Sequence, residues 1–181
     1  MATAGRFAYR PCMYVAMFRQ MKKQLGQLDK WLDAATTAAA AKSYDPNLFL
    51  GFRLAPDQFA FARQVQATCD TAKVAAARLT GQDAPKHADT ETTLDELHTR
   101  VRAVVEYLDG LKAADLEGAA TRVITQPRWE GKTMTGEDYF LEHAVPNFYF
   151  HLAHAFAILR HNGVAIGKRD YLGTLSQKAA S

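Results

Sequence analysis

Cysteine is nearly missing from this 181-residue chain, which has two, Cys12 and Cys69. Two thiols cannot build a disulfide framework or an all-cysteine zinc site, so those small stapled classes are excluded. Proline (6) and glycine (11) are too scarce for a collagenous or low-complexity architecture. Long apolar runs are absent as well. The stretch from Cys12 to Phe18 meets Arg19, Lys22 and Lys23 almost at once, too soon for a signal-peptide core or a membrane span. Nor does one sign of charge dominate: 22 Lys and Arg face 19 Asp and Glu, net +3, and no segment concentrates the excess. That balance gives no footprint for nucleic acid. What remains is 48% hydrophobic and 23% charged, the composition of a globular chain that can bury its own core. The expectation is a single domain over 1–181, ordered from about 13 to 173. It is expected in the cytoplasm with reduced thiols, and with neither nucleic acid nor membrane as partner.

The apolar residues that are present recur at helical spacing. Tyr14, Phe18, Met21, Leu25, Leu28, Leu32 and Ala35 step by four and three along one stripe, which predicts a long amphipathic first helix ending before Pro46. Leu54-Ala-Pro-Asp57 reads as the start of a second helix, with Phe59, Ala62, Val65, Cys69, Ala72, Ala76 and Leu79 on its inner face and Gly81 as its stop. Thr93-Leu-Asp-Glu96 has the capping-box pattern and opens a third helix, carrying Leu94, Leu97, Val101, Val104 and Leu108. Short β-branched pieces on either side of Gln126–Gly131 predict a small hairpin. A last helix follows from Thr135, kinked near 142–146 by Pro146. The reading is all-α: an up-down four-helix bundle with a long first connector, a hairpin before helix four and a C-terminal strap over 164–173.

Several segments carry a resemblance. Arg63-Gln-Val-Gln66, Cys69-Asp-Thr-Ala-Lys73, Ala75-Ala-Ala-Arg-Leu79, Pro146-Asn-Phe-Tyr-Phe-His151 and Ala157-Ile-Leu-Arg-His-Asn-Gly-Val164 resemble a bacterial family known only as a domain of unknown function. Leu54-Ala-Pro-Asp57, Glu91-Thr-Thr93, Gly167-Lys168 and Asp170-Tyr-Leu-Gly173 extend the likeness. That family looks like a branch of the DinB/YfiT-like superfamily of helical bundles, to which metal-dependent and thiol-transfer chemistry is ascribed. The resemblance implies a three-histidine metal site, with one His late in helix two and an H-x-x-x-H pair on helix four. Here the pair reads Asn147 and His151, and helix two has no His between Asp57 and Thr80. The superfamily metal site is therefore expected to be largely lost, since an amide is a poor substitute for imidazole on Zn or Ni. The alternative, a divalent-metal enzyme of hydrolase or thiol-transferase type, would use His151 with His154 or His143 and an acid such as Asp70 or Glu142.

The remaining polar residues support a different reading. Arg63, Gln66, Asp70 and Lys73 recur at three and four along helix two. They form either a solvated face or the wall of a polar pocket opposite Asn147 and His151. The ligand-binding candidates are thus His151, Asn147, Gln66, Asp70 and Arg63, in a cleft between helices two and four that takes a small polar molecule without a metal or other cofactor. Burial should keep the His151 ring neutral unless an acid faces it, and its expected neighbours are Asn147 and helix-two groups such as Gln66 or Asp70. Cys69 reads as a small core hydrophobe, not a nucleophile. Phe148, Tyr149 and Phe150 are consecutive, so they cannot all face one core, and a homodimer surface is expected. A purely structural or oligomerisation module is the third reading.

Overall fold

The four-three stripe that begins at Tyr14 folds as helix α1 (Pro11–Ala41) in a computed structural model that describes residues 11–179. The stretch Cys12–Phe18 read above for a targeting segment is the start of this helix. Phe18, Met21, Leu25, Leu28 and Leu32 are all sealed in the core, joined by Trp31. After α1 the chain turns through Ser43 at positive φ, and Asp45 caps a 3₁₀ helix (Pro46–Gly51) that buries Phe49.

Helix α2 (Phe61–Thr80) begins later than the sequence pattern suggested. The Phe61 amide donates to the Phe52 carbonyl at 2.8 Å, so residues 54–60 are committed to a turn and Pro56 and Asp57 lie outside the helix. Phe59, expected on the inner face, is half exposed as a result. Val65, Cys69, Ala72, Ala76 and Leu79 fill the inner face as expected. Gly81, at φ 76°, closes the helix in the left-handed region, where the Arg122 guanidinium passes 2.7 Å from the place of a β-carbon.

The capping box forms as the sequence indicated: Glu96 N–H donates to Thr93 Oγ1 and the Thr93 amide returns to Glu96 Oε2. It opens α3 (Leu94–Asp109). The antiparallel hairpin is two residues deep, β1 (Val123–Ile124) against β2 (Met134–Thr135), with Val123 opposite Thr135. Next comes one continuous rod in three parts: α4 (Gly136–Asp138), a π-helical stretch (Tyr139–Ala144) and α5 (Val145–His161). Pro146 cannot donate a helical hydrogen bond, and its ring crowds the preceding turn. The widened π turn, where Val145 N–H reaches back to Phe140 O, accommodates it. Gly136 is required at the base of this rod, because a β-carbon there would sit 1.9 Å from the Ala119 carbonyl oxygen. Helix α6 (Lys168–Leu172) is the strap, held by Tyr171 stacked on Trp31 and by Trp31 Nε1–H donating to Asp170 O.

The contacts fix the chain directions. Lys22 pairs with Asp109, and Asp29 with Arg102, so α1 and α3 are antiparallel. Gln64 meets His151 and Arg78 meets Tyr139, so α2 and α5 are antiparallel too. The order along the chain is nonetheless up-down-down-up. Residues 81–93 run back along α2, with His87 beside Lys73 and Glu91 beside Gln66, and deliver α3 parallel to it. Among the described residues no helix is long and apolar enough to cross a membrane.

Candidate functional site

Helix α2 is polar on two flanks, and they differ. The flank toward α5 opens into a cleft of about 520 Å³. Its α2 wall carries Arg63, Asp70, Thr71 and Arg78. Its opposite wall carries Tyr139, His143, Asn147 and His151, and Gln126–Arg128 of the hairpin turn closes one end.

His151 is buried at the other end of this cleft, with Phe59 stacked over its ring. Its partner on helix two is Gln64, at 2.8 Å from Nδ1, a residue the sequence pattern had not singled out. The Gln64 amide nitrogen donates to the Phe59 carbonyl, which leaves its oxygen to face the imidazole. The imidazole must therefore donate from Nδ1, leaving the Nε2 lone pair free as an acceptor. Burial, with His154 and Arg63 nearby, pushes this His down to about 4, so the ring is neutral at neutral pH.

One turn earlier, Asn147 donates to Thr71 Oγ1 at 2.7 Å, and Thr71 in turn donates to the Ala67 carbonyl. The three histidines named for a metal site are held apart by separate partners. His154 bonds to the Phe150 carbonyl of its own helix, and His143 stacks on Tyr139 with Arg128 against its Nε2. Around His151 and Asn147 this chain offers one imidazole, an amide and the Thr71 hydroxyl, already hydrogen-bonded to one another or to α2. That donor set does not fit a Zn or Ni centre. Among the described residues no three His, Cys, Asp or Glu side chains gather to hold an ion. Glu142, offered as a metal-site acid, is exposed.

The other flank of α2 is closed by charge. Arg100 of α3, 2% exposed, reaches Asp70 at 2.6 Å and both Asp89 and Glu91 at 2.7 Å. Lys73 adds contacts to Asp70 and His87, Arg63 pairs with Asp89, and Gln66 donates to Glu91. Burial alone would raise the Glu91 and Asp89 carboxyls, yet hydrogen bonds from Arg100 hold both below their ordinary values. Thus Gln66, expected beside His151, instead faces the 81–93 segment. Asp70 lines the cleft but spends its carboxylate on Arg100 and Lys73. Arg100 itself went unnoticed in the sequence, because a lone Arg on the polar side of a helix carries no pattern. Cys69 is buried between these charges and its thiol is pushed up to about 12, chiefly by burial, whereas Cys12 is exposed.

A helical bundle with this cleft is a DinB-like protein. The crystal structure of a DinB family member protein from Shewanella denitrificans, at 1.83 Å, superposes with a TM-score of 0.91. It is 50% identical in sequence, and the match covers 94% of this chain and 97% of that one. The chain belongs to DUF1993, a domain of unknown function, whose family model matches residues 13–172. No curated protein matches it.

Proposed function

We propose that this DUF1993 protein binds a small polar molecule in the cleft between α2 and α5. One observation carries the reading: His151 is locked by Gln64 and Phe59 into a neutral form whose Nε2 is an unused acceptor on the cleft wall. An unused acceptor with a fixed tautomer suits a ligand hydroxyl or amine, and Asn147, Arg63 and Asp70 border the same space. The chemistry is recognition; no reaction step follows from one neutral imidazole. A thermal-shift screen of polar metabolites tests it. Hits should raise the melting temperature of the native chain and lose that effect in His151→Phe and Asn147→Leu. A screen without hits, or hits indifferent to both substitutions, would overturn it.

Self-association belongs to the same proposal. Of the three consecutive aromatics Phe148 is buried, Tyr149 half-buried and Phe150 53% exposed, with Met13 also open to solvent. A homodimer covering Phe150 predicts twice the monomer mass by light scattering at micromolar concentration, and a monomer there would remove it. A bacterial, cytoplasmic setting is the context in which this binding is proposed.

A further inference from the structure

The end of the cleft under the hairpin turn differs in chemistry from the His151 end. Arg78 enters it from α2 and Arg128 from the hairpin turn. Arg78 donates to the Tyr139 hydroxyl and lies over that ring, and Arg128 rests against His143. Neither guanidinium takes part in an ion pair among the described residues. The acid on the cleft wall, Asp70, is already bound to Arg100 and Lys73. Guanidinium is only a donor, so His143 Nε2 facing Arg128 must carry the lone pair and Nδ1 the proton. That Nδ1–H is buried without a partner, and so is Gln126 Nε2 from the turn. Burial and these two arginines together push His143 down, which keeps the ring neutral in this tautomer. Two uncompensated cations therefore line this end of the cleft, beside two lining residues that each hold an idle buried donor.

We infer that this end of the cleft is an oxyanion subsite. It takes the phosphate or carboxylate group of a small ligand on Arg78 and Arg128, with the ligand's hydroxyl or amine directed along the cleft toward Asn147 and His151. Guanidinium forks match the paired oxygens of either anion. The inference rests on the polar-cleft reading above and adds the charge and the direction of the ligand.

Calorimetric titration of the full chain at constant ionic strength tests it, with inorganic phosphate, malonate, glycerol 3-phosphate and glycerol as probes. Phosphate or malonate should bind at one saturable site, and the tighter of the two identifies the anion. Glycerol 3-phosphate should bind more tightly than phosphate, by an increment that Asn147→Leu removes while phosphate affinity stays. Arg128→Gln, at an exposed position, should weaken anion binding about tenfold or more. Arg78→Lys should keep more of that binding than Arg78→Gln. Anion affinities that are equal in the native chain and in Arg128→Gln would overturn the subsite. If glycerol or another neutral polar probe still bound through His151, the polar-cleft reading would survive that result; if nothing bound, both would fall.

Discussion

The two flanks of α2 use the same residue types to opposite ends. Toward α3, three cations meet three carboxylates: Arg63, Lys73 and Arg100 against Asp70, Asp89 and Glu91, all within ion-pair distance of at least one partner. Toward α5, Arg78 and Arg128 find a phenol and an imidazole instead of a carboxylate. The first arrangement is complete and needs nothing from outside. It fastens the 81–93 segment to the bundle, and so sets the direction in which α3 runs. The second is incomplete, with donors to spare and an open cleft between them. Charge that is matched inside the fold contributes to structure, and charge left unmatched beside a cavity is available for a ligand.

The largest effect expected from this contrast is at Arg100. Replacing it with Met removes the cation from beneath Asp70, Asp89 and Glu91 and leaves partly buried carboxylates facing one another. Breaking a buried pair by removing one partner costs about 3–5 kcal/mol, so Arg100→Met should lower the urea midpoint severely. A loss below about 1 kcal/mol, the range of exposed pairs, would mean that the closed flank is no more structural than the surface.

The wall across the cleft is held by backbone fit, not by charge, and Gly136→Ala probes it. The added β-carbon would meet the Ala119 carbonyl oxygen at 1.9 Å, so the backbone at the base of this rod must move. Overpacking of this kind costs about 1–3 kcal/mol. The same variant should loosen the cleft, reducing any ligand-induced thermal shift. Unchanged melting and unchanged ligand response would show that the close approach is not maintained in solution.

Acid should dismantle the two flanks in sequence. His151 has its folded pKa depressed to about 4 from 6.5, so the unfolded chain binds more protons between those values and stability falls as pH drops from 6.5 toward 4. His143 and His87 are also lowered, first by burial, and contribute in the same direction. The lowered Glu91 and Asp89 carboxylates act later. Their stabilisation is present above the unfolded values of 4.5 and 3.8 and is lost as pH falls through the lower folded ones. An NMR titration should find the His151 ring unprotonated until about pH 4, with the Arg100 guanidinium signals shifting only further down. A His151 midpoint near 6.5 would place the ring in solvent and remove the fixed acceptor from the cleft.

Much of this arrangement is written in the sequence, unevenly. The inner stripe of α1, the capping box at Thr93, the two-residue hairpin and the disturbance before Pro146 were each legible, because each depends on local spacing or on one residue's covalent geometry. The direction of α3 was not, since it depends on side chains twenty or thirty residues apart finding each other: Arg63 with Asp89, Asp70 with Arg100. The site was half legible. His151 and Asn147 line the cleft, as do Arg63 and Asp70. Gln66 was grouped with His151 by its spacing from Arg63 and Asp70, but that stripe turns toward Glu91, and the adjacent Gln64, about 200° away on the helix, meets the imidazole instead. Arg78 and Arg128 had no pattern to announce them, because their meaning lies in what they are not paired with.

The smallest expected effect is the most discriminating. Arg128 is exposed, forms no ion pair among the described residues and lies on a 3₁₀ turn (Pro127–Trp129) outside the helical core. Arg128→Gln removes a full charge, as Arg100→Met does, yet it leaves no carboxylate behind. Stability should therefore change by no more than about 0.5 kcal/mol, the range for a surface substitution away from special features. His143 should respond more than the fold does: Arg128 is one of the cations that hold its pKa down, alongside burial, so the variant should raise the His143 midpoint without unfolding the chain. An NMR titration of the His143 ring beside a urea curve separates the two readouts. If Arg128→Gln destabilised the protein as strongly as Arg100→Met, Arg128 would be a structural clamp like Arg100, and the distinction between a closed and an open flank of α2 would fail.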